Sequence, residues 1–225
     1  MRRIGFILLL GMLLVNVVMC AKSSNNSKEE EEKNVSTKNN INENTVVNNN
    51  TKENKILIAY FSRAGENYNV GVVEVGSTEL VANHMKNYLG NRADVFKIEA
   101  TETYPKGYED TKTRATREKT NNERPTFKGD VDISQYDIIF LGYPIWWADA
   151  PMIIETFLEK YDFSGKTIIP FNTHEGSGNA GTYNHIKNKM SSADVNTNGL
   201  AIAGTEARKD SSKVIVENWL KGLGY

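Results

Sequence analysis

The sequence predicts an α/β domain: a doubly wound, five-stranded parallel sheet with helices on both faces. Short β-branched runs alternate with helical stretches from Lys55 onward, which is the pattern of βαβ units. Two of the runs, Ile56-Leu57-Ile58-Ala59 and Ile138-Ile139-Phe140-Leu141, are apolar at consecutive positions, as strands covered on both faces must be.

Residues 1–20 open with Arg2 and Arg3, run apolar from Ile4 to Met19 and turn polar after Ala21, the layout of an export signal. The apolar run is short for a bilayer-spanning helix, which needs about 20 residues. The segment Val17-Val18-Met19-Cys20 resembles a bacterial lipoprotein cleavage site, with Met19 standing where that pattern has a small residue. The resemblance implies lipidation of Cys20 and a membrane anchor on the outer face of the cytoplasmic membrane, with secretion as the alternative. Residues 21–54 are mostly Asn, Lys, Glu, Ser and Thr, with the acidic run Glu29 to Glu32. They offer too little apolar surface to offset ordering entropy, which predicts a disordered polar tether. The folded domain is expected over residues 55–225.

Within it the strands are predicted at 56–61, 93–98, 137–142, 167–171 and 199–203. Leu80, Val81, His84, Met85 and Tyr88 recur at helical spacing, with Gly90 as the stop. Pro151 opens a helix carrying Ile153, Ile154, Phe157 and Leu158, and Val214, Ile215, Trp219 and Leu220 mark a terminal helix. From Tyr108 to Asn122 acidic and basic residues mix at helical spacing, which predicts a solvated helix face.

Composition narrows the chemistry. Cys20 is the only cysteine, so neither an intramolecular disulfide, a dithiol redox motif nor a Cys-rich metal site is available. Residues 55–225 carry 20 basic and 22 acidic side chains, interspersed, without the basic stripe that nucleic acid requires. His174, Glu175 and His185 lack the His-Glu-x-x-His spacing of a zinc site, and no Gly-x-Ser-x-Gly elbow supports a hydrolase at Ser62 or Ser177. Any electron chemistry must use a bound cofactor.

Doubly wound sheets bind ligands beyond the carboxyl ends of their strands. The first strand ends in Ser62-Arg63-Ala64-Gly65, and a helix begins near Gly76-Ser77-Thr78. The hydroxyls of Ser62, Ser77 and Thr78 with the free amides of a helix start suit a phosphate monoester without any lysine. The third strand runs into Gly142-Tyr143-Pro144-Ile145-Trp146-Trp147-Ala148-Asp149-Ala150-Pro151. Its adjacent tryptophans offer a stacking face to a flat heterocycle, Trp146 first and Trp147 next. The fourth strand runs into Thr173-His174-Glu175-Gly176-Ser177-Gly178, whose glycines admit backbone hydrogen bonds to a polar ring edge.

These three segments, with Ile56 to Arg63 and Gly142 to Trp147 as the most specific pieces, resemble the flavodoxin family across Lys55 to Tyr225. The resemblance implies a flavodoxin-like sheet of order 2-1-3-4-5, of the short-chain type, with non-covalent FMN. It implies a phosphate held by Ser62, Arg63, the Ala64 backbone and Thr78. The ring would be held by Pro144, Ile145, Trp146 and Trp147 and by Thr173, His174, Glu175, Gly176, Ser177 and Gly178. The phosphate loop is longer than the family's compact form by the stretch from Glu66 to Val75, and Trp147-Ala148-Asp149 lacks the glycine that carriers place beside the ring. The functions implied are electron transfer to a redox protein, or flavin-dependent reduction of a quinone or similar small acceptor by NAD(P)H. A surface-tethered binding module without redox activity is the alternative from another class. No residue is required as an acid or base, since the flavin carries the chemistry.

Overall fold

The computed structural model describes residues 54–225; the segments expected to be an export signal and a tether, with Cys20, lie outside the described residues. The chain forms β1 (Ile56–Tyr60), β2 (Gly65–Asn67), β3 (Gly71–Val73), α1 (Ser77–Leu89), β4 (Ala93–Lys97), α2 (Tyr108–Thr120), β5 (Ile138–Pro144) and α3 (Met152–Lys160). It continues with β6 (Thr167–His174), α4 (Thr182–Lys189), β7 (Asp194–Val195), β8 (Leu200–Ala203) and α5 (Ser211–Gly222).

The main sheet is parallel in the order β4-β1-β5-β6, and β7 and β8 both pair with β6 at its far edge. The fifth position of the expected 2-1-3-4-5 sheet is therefore filled by two short strands in succession. β7 pairs beside Thr167 and Ile168 and β8 beside Phe171 to His174, which leaves the middle of β6 without a strand partner on that side.

The consecutive apolar runs behave as two-faced strands should. Leu57, Ala59, Ile139 and Leu141 point into a core with Ile153 and Phe157 of α3 and Tyr183 and Ile186 of α4. Ile56, Ile58, Ile138 and Phe140 point into a second core with Val81 and Met85 of α1 and Val216 and Leu220 of α5. Alternate residues feed opposite faces, so one uninterrupted apolar run supplies both cores.

Helix ends follow local chemistry. Gly90, at φ +59°, stops α1, and Lys86 Nζ donates to the carbonyls of Gly90 at 2.9 Å and Ala93 at 2.7 Å. Pro151 at φ −60° precedes α3, and its carbonyl accepts from Ile154 N at 2.8 Å.

Helix α2 has the solvated face expected of its charge pattern, with Glu109, Asp110, Arg117 and Lys119 exposed, but two of its charges lie on the buried face. Thr111, Arg114, Ala115 and Glu118 are buried. Arg114 Nε donates to Glu118 Oε1 at 2.7 Å, the Tyr104 hydroxyl donates to Glu118 Oε2 at 2.8 Å, and the guanidinium lies 3.9 Å from the centre of the Tyr104 ring. An i,i+4 acid–base pair reads as a surface feature from sequence, but a tyrosine on the segment before the helix turned this one inward. The long loop after β1 also carries structure, the antiparallel hairpin β2–β3.

Candidate functional site

The carboxyl ends of β1, β5, β6 and β8 converge on a solvent-open cleft of about 210 Å³. At its inner end Gly76 leads into α1 with no side-chain cap, and Ser62 Oγ accepts from the Glu79 amide at 3.1 Å. Ser62 Oγ donates to no group among the described residues, so its proton is free to point into the cleft. Among the described residues the amides of Ser77 and Thr78 find no acceptor within the protein, as the first turn of a helix leaves them. Ser77 Oγ donates to the Gly204 carbonyl at 3.1 Å, and Thr78 and Thr173 share a hydroxyl–hydroxyl bond of 2.8 Å that ties α1 to β6.

A glycine is required at 76. A Cβ there would lie 2.5 Å from Arg63 O and 2.9 Å from Arg63 N, and would also strike Ser62 Oγ. The Ser62-Arg63 backbone thus closes directly onto the start of α1, and the result is an anion cradle of hydroxyls and free amides.

Arg63 turns away from the cradle. Its Nη1 donates to the carbonyls of Ala64 (3.1 Å), Pro105 (2.8 Å) and Lys106 (3.2 Å), its Nη2 donates to that of Glu66, and its Nε is buried without a partner. The guanidinium staples the β2–β3 hairpin to the segment before α2, and burial lowers its pKa from the usual arginine value. Glu66 adds a second tie by accepting from the Tyr108 amide at 3.0 Å.

The tip of that hairpin puts Asn67, Tyr68 and Val70 on the cleft, and the Tyr68 ring stacks on Tyr108 at 5.8 Å. With Thr111, Lys112 and Ala115 of α2 and with Gly204, these are wall residues that sequence reasoning missed. The available signal was the length of the loop from Glu66 to Val75, which is more chain than a phosphate loop needs.

The loop after β5 forms another part of the wall. Pro144, Ile145, Trp146 and Trp147 all line the cleft. Trp146 is half-buried and meets Phe61 (5.4 Å) and Tyr104 (5.2 Å) edge-to-face, so it has aromatic core behind it as well as cleft in front. Trp147 is 52% exposed. Trp146 N donates to Asp149 O at 2.9 Å and Asp149 N to Trp146 O at 3.0 Å, closing a two-residue turn in which Trp147 (φ +52°) and Ala148 (φ +53°) are both left-handed. That geometry favours Asn-Gly, and non-glycine residues in it store about 1–2 kcal/mol each.

From β6, Thr173, His174 and Glu175 line the cleft, whereas Gly176, Ser177 and Gly178 lie beyond its lining, as does Ala64 on the other side. Buried Asn172 pins this loop: its Nδ2 donates to Gly178 O at 3.0 Å, and its Oδ1 accepts from the Tyr183 hydroxyl at 2.5 Å. His174 Nδ1 accepts from the Gly176 amide at 3.0 Å, and burial lowers the imidazole's pKa, so a neutral ring is favoured. Burial raises the Glu175 carboxyl, with the Gly204 amide and Asn69 side chain opposing. Of the sequence-predicted residues the structure thus brings eleven into one cleft: Ser62, Arg63, Ser77, Thr78, Pro144 to Trp147 and Thr173 to Glu175.

Among solved structures, a candidate flavoprotein from Bacteroides eggerthii is 28% identical, covering 76% of this chain and 99% of its own, at a TM-score of 0.59. One from Bacteroides uniformis is 27% identical with coverages of 76% and 99% and a TM-score of 0.59. A Lactobacillus acidophilus flavoprotein crystallised with FMN shares the fold, at 21% identity, coverages of 74% and 99% and a TM-score of 0.55. No curated protein matches the chain. The family model described as Flavodoxin matches residues 55–221, and with the parallel sheet and the cleft at its carboxyl edge this places the chain in the flavodoxin family.

Proposed function

We propose that the protein is a flavodoxin-like redox protein that works through non-covalent FMN. The observation that carries this reading is the cleft itself, which sets a cradle of hydroxyls and free amides at one end and an aromatic wall beside it. That donor set fits FMN. A phosphate monoester suits the hydroxyls of Ser62 and Thr78 and the free amides of Ser77 and Thr78, and a flat tricyclic ring suits the wall of Trp146 and Trp147. When bound, FMN supplies the electron chemistry, and the protein supplies binding, orientation and electrostatics.

The residues divide that work. The α1 amides and hydroxyls hold a phosphate through dipoles rather than through a cation. Trp146, backed by Phe61 and Tyr104, cannot easily rotate and holds a plane. Thr173, tied to Thr78, keeps the phosphate and ring ends of the cleft in register.

The protein as purified is expected to be yellow, or to become so with added FMN. A colourless protein that gains no flavin absorbance overturns the reading. Trp146→Ala is expected to weaken FMN binding by about 1–3 kcal/mol through lost aromatic burial, read by flavin fluorescence titration. An unchanged dissociation constant would show that the indole does not touch the ring.

A small planar acceptor, such as a quinone reduced at the expense of NAD(P)H, is the second reading. Two of the large exposed side chains, Tyr68 (57%) and Trp147 (52%), stand on this one cleft, which suits a planar small molecule. A domain net charge of −2 steers a protein partner only weakly. Quinone-dependent NAD(P)H oxidation by the FMN-loaded protein tests it against reduction of a redox protein. For location, we carry forward a lipid anchor at Cys20, supported by the apolar run that it closes. Fatty-acid labelling that persists in Cys20→Ala overturns it.

A further inference from the structure

We infer that Lys119, which lies outside the cleft, is the positioning residue that locks the strained Trp147-Ala148 turn into the shape the cofactor meets; the functional half of this inference rests on the reading of the cleft as an FMN site. Lys119 Nζ donates to the Trp147 carbonyl at 2.8 Å and lies 3.2 Å from Asp149 Oδ2. Asp149 in turn accepts the Ala150 amide on its other carboxylate oxygen at 2.9 Å. One ammonium therefore bridges the first left-handed residue of the turn and the residue that closes it.

The turn needs such a tie. Its two central residues sit at φ +52° and +53° without the glycine that makes this conformation inexpensive, and its own backbone supplies only the two Trp146–Asp149 hydrogen bonds. Released from Lys119, the 147–148 peptide is free to relax toward ordinary φ values and carry the Trp147 indole away from the cleft.

Lys119 is well based for the task. It follows Glu118, whose buried pairing with Arg114 and Tyr104 fixes this end of α2, while Tyr108, Thr111, Lys112 and Ala115 of the same helix also line the cleft. The clamp thus ties the Trp147 turn to a helix that itself lines the cleft. A planar peptide also directs the Ala148 N–H opposite to the held carbonyl, and that N–H has no acceptor among the described residues.

The test compares Lys119→Met with Lys119→Arg, each alone and with Ala148→Gly. In the apo protein, Lys119→Met is expected to speed hydrogen exchange of the Trp146 and Asp149 amides about tenfold, with the thermal midpoint moving by less than about 3 °C because the side chain is exposed. In the FMN-loaded protein the dissociation constant should rise about 3- to 10-fold, Lys119→Arg should restore it, and with Ala148→Gly relieving the strain the loss should fall below about twofold. Unchanged exchange and affinity in Lys119→Met, an equal loss in the Ala148→Gly background, or failure of Lys119→Arg to restore would each overturn the clamp. The exchange measurement needs no FMN, so a wild-type protein that binds none refutes the reading of the cleft while the clamp is still decided.

Discussion

Gly76→Ala is expected to weaken FMN binding roughly 100-fold, about 2.7 kcal/mol, while riboflavin, which lacks the phosphate, loses far less. The substitution is conservative in size and its backbone angles, φ −70° and ψ 152°, suit any residue, so strain in the glycine itself is not the cause. The cause is contact: the new Cβ would lie 2.5 Å from Arg63 O and 2.9 Å from Arg63 N, distances that backbone atoms do not tolerate. Ser62 and Arg63 must then back away from the start of α1. The hydroxyl that accepts the Glu79 amide leaves with them, and a phosphate loses that donor, worth about 1.5–3 kcal/mol when its partner is charged. Titrating wild type and variant with both flavins separates this from general damage. Wild-type FMN affinity in Gly76→Ala would show that the phosphate sits elsewhere.

Arg114→Met is expected to destabilise the fold by about 3–5 kcal/mol, because it strands the Glu118 carboxylate in the interior. Glu118 is 1% exposed and is met by Arg114 Nε at 2.7 Å and the Tyr104 hydroxyl at 2.8 Å. A deleted partner leaves a buried charge with one hydrogen bond, and total stabilities of only about 5–15 kcal/mol make that a large fraction. Removing both charges tells a different story. Arg114→Met with Glu118→Leu should recover much of the loss, since an apolar pair of similar volume is often as stable as the ion pair it replaces. Urea denaturation reads both variants, and a single variant with the wild-type midpoint would mean the pair contributes nothing. Tyr104 also backs Trp146, so the single variant should bind FMN more weakly than the double.

Much of the site was legible before any coordinate. Ser62, Ser77 and Thr78 stood out because hydroxyls at a strand end and a helix start meet in any parallel sheet. Trp146 and Trp147 stood out because paired indoles between prolines are rarely only a turn. Arg63 was expected as a phosphate ligand from the family resemblance, but its guanidinium holds the carbonyls of Ala64, Glu66, Pro105 and Lys106. A cation beside a phosphate loop is an obvious partner in sequence, whereas the carbonyls it satisfies lie partly in a segment 42 positions away. Tyr68 and Tyr108 were silent for a related reason, being ordinary residues until a hairpin and a helix start bring their rings to 5.8 Å.

The sequence by itself determined the layers and the edge where ligands bind, because consecutive apolar residues can only serve a strand with helices on both faces. It also determined which three loops reach that edge, because parallel connections leave every strand's carboxyl end on one side. Only the tertiary structure decided which side chains of those loops face the cleft and which hold it in shape. Lys119 reaches Trp147 across 28 positions, and the Arg114–Glu118 pair is buried because Tyr104 covers it. Burial and partnership of polar groups are settled by contacts between distant segments, and no local pattern of residues records them.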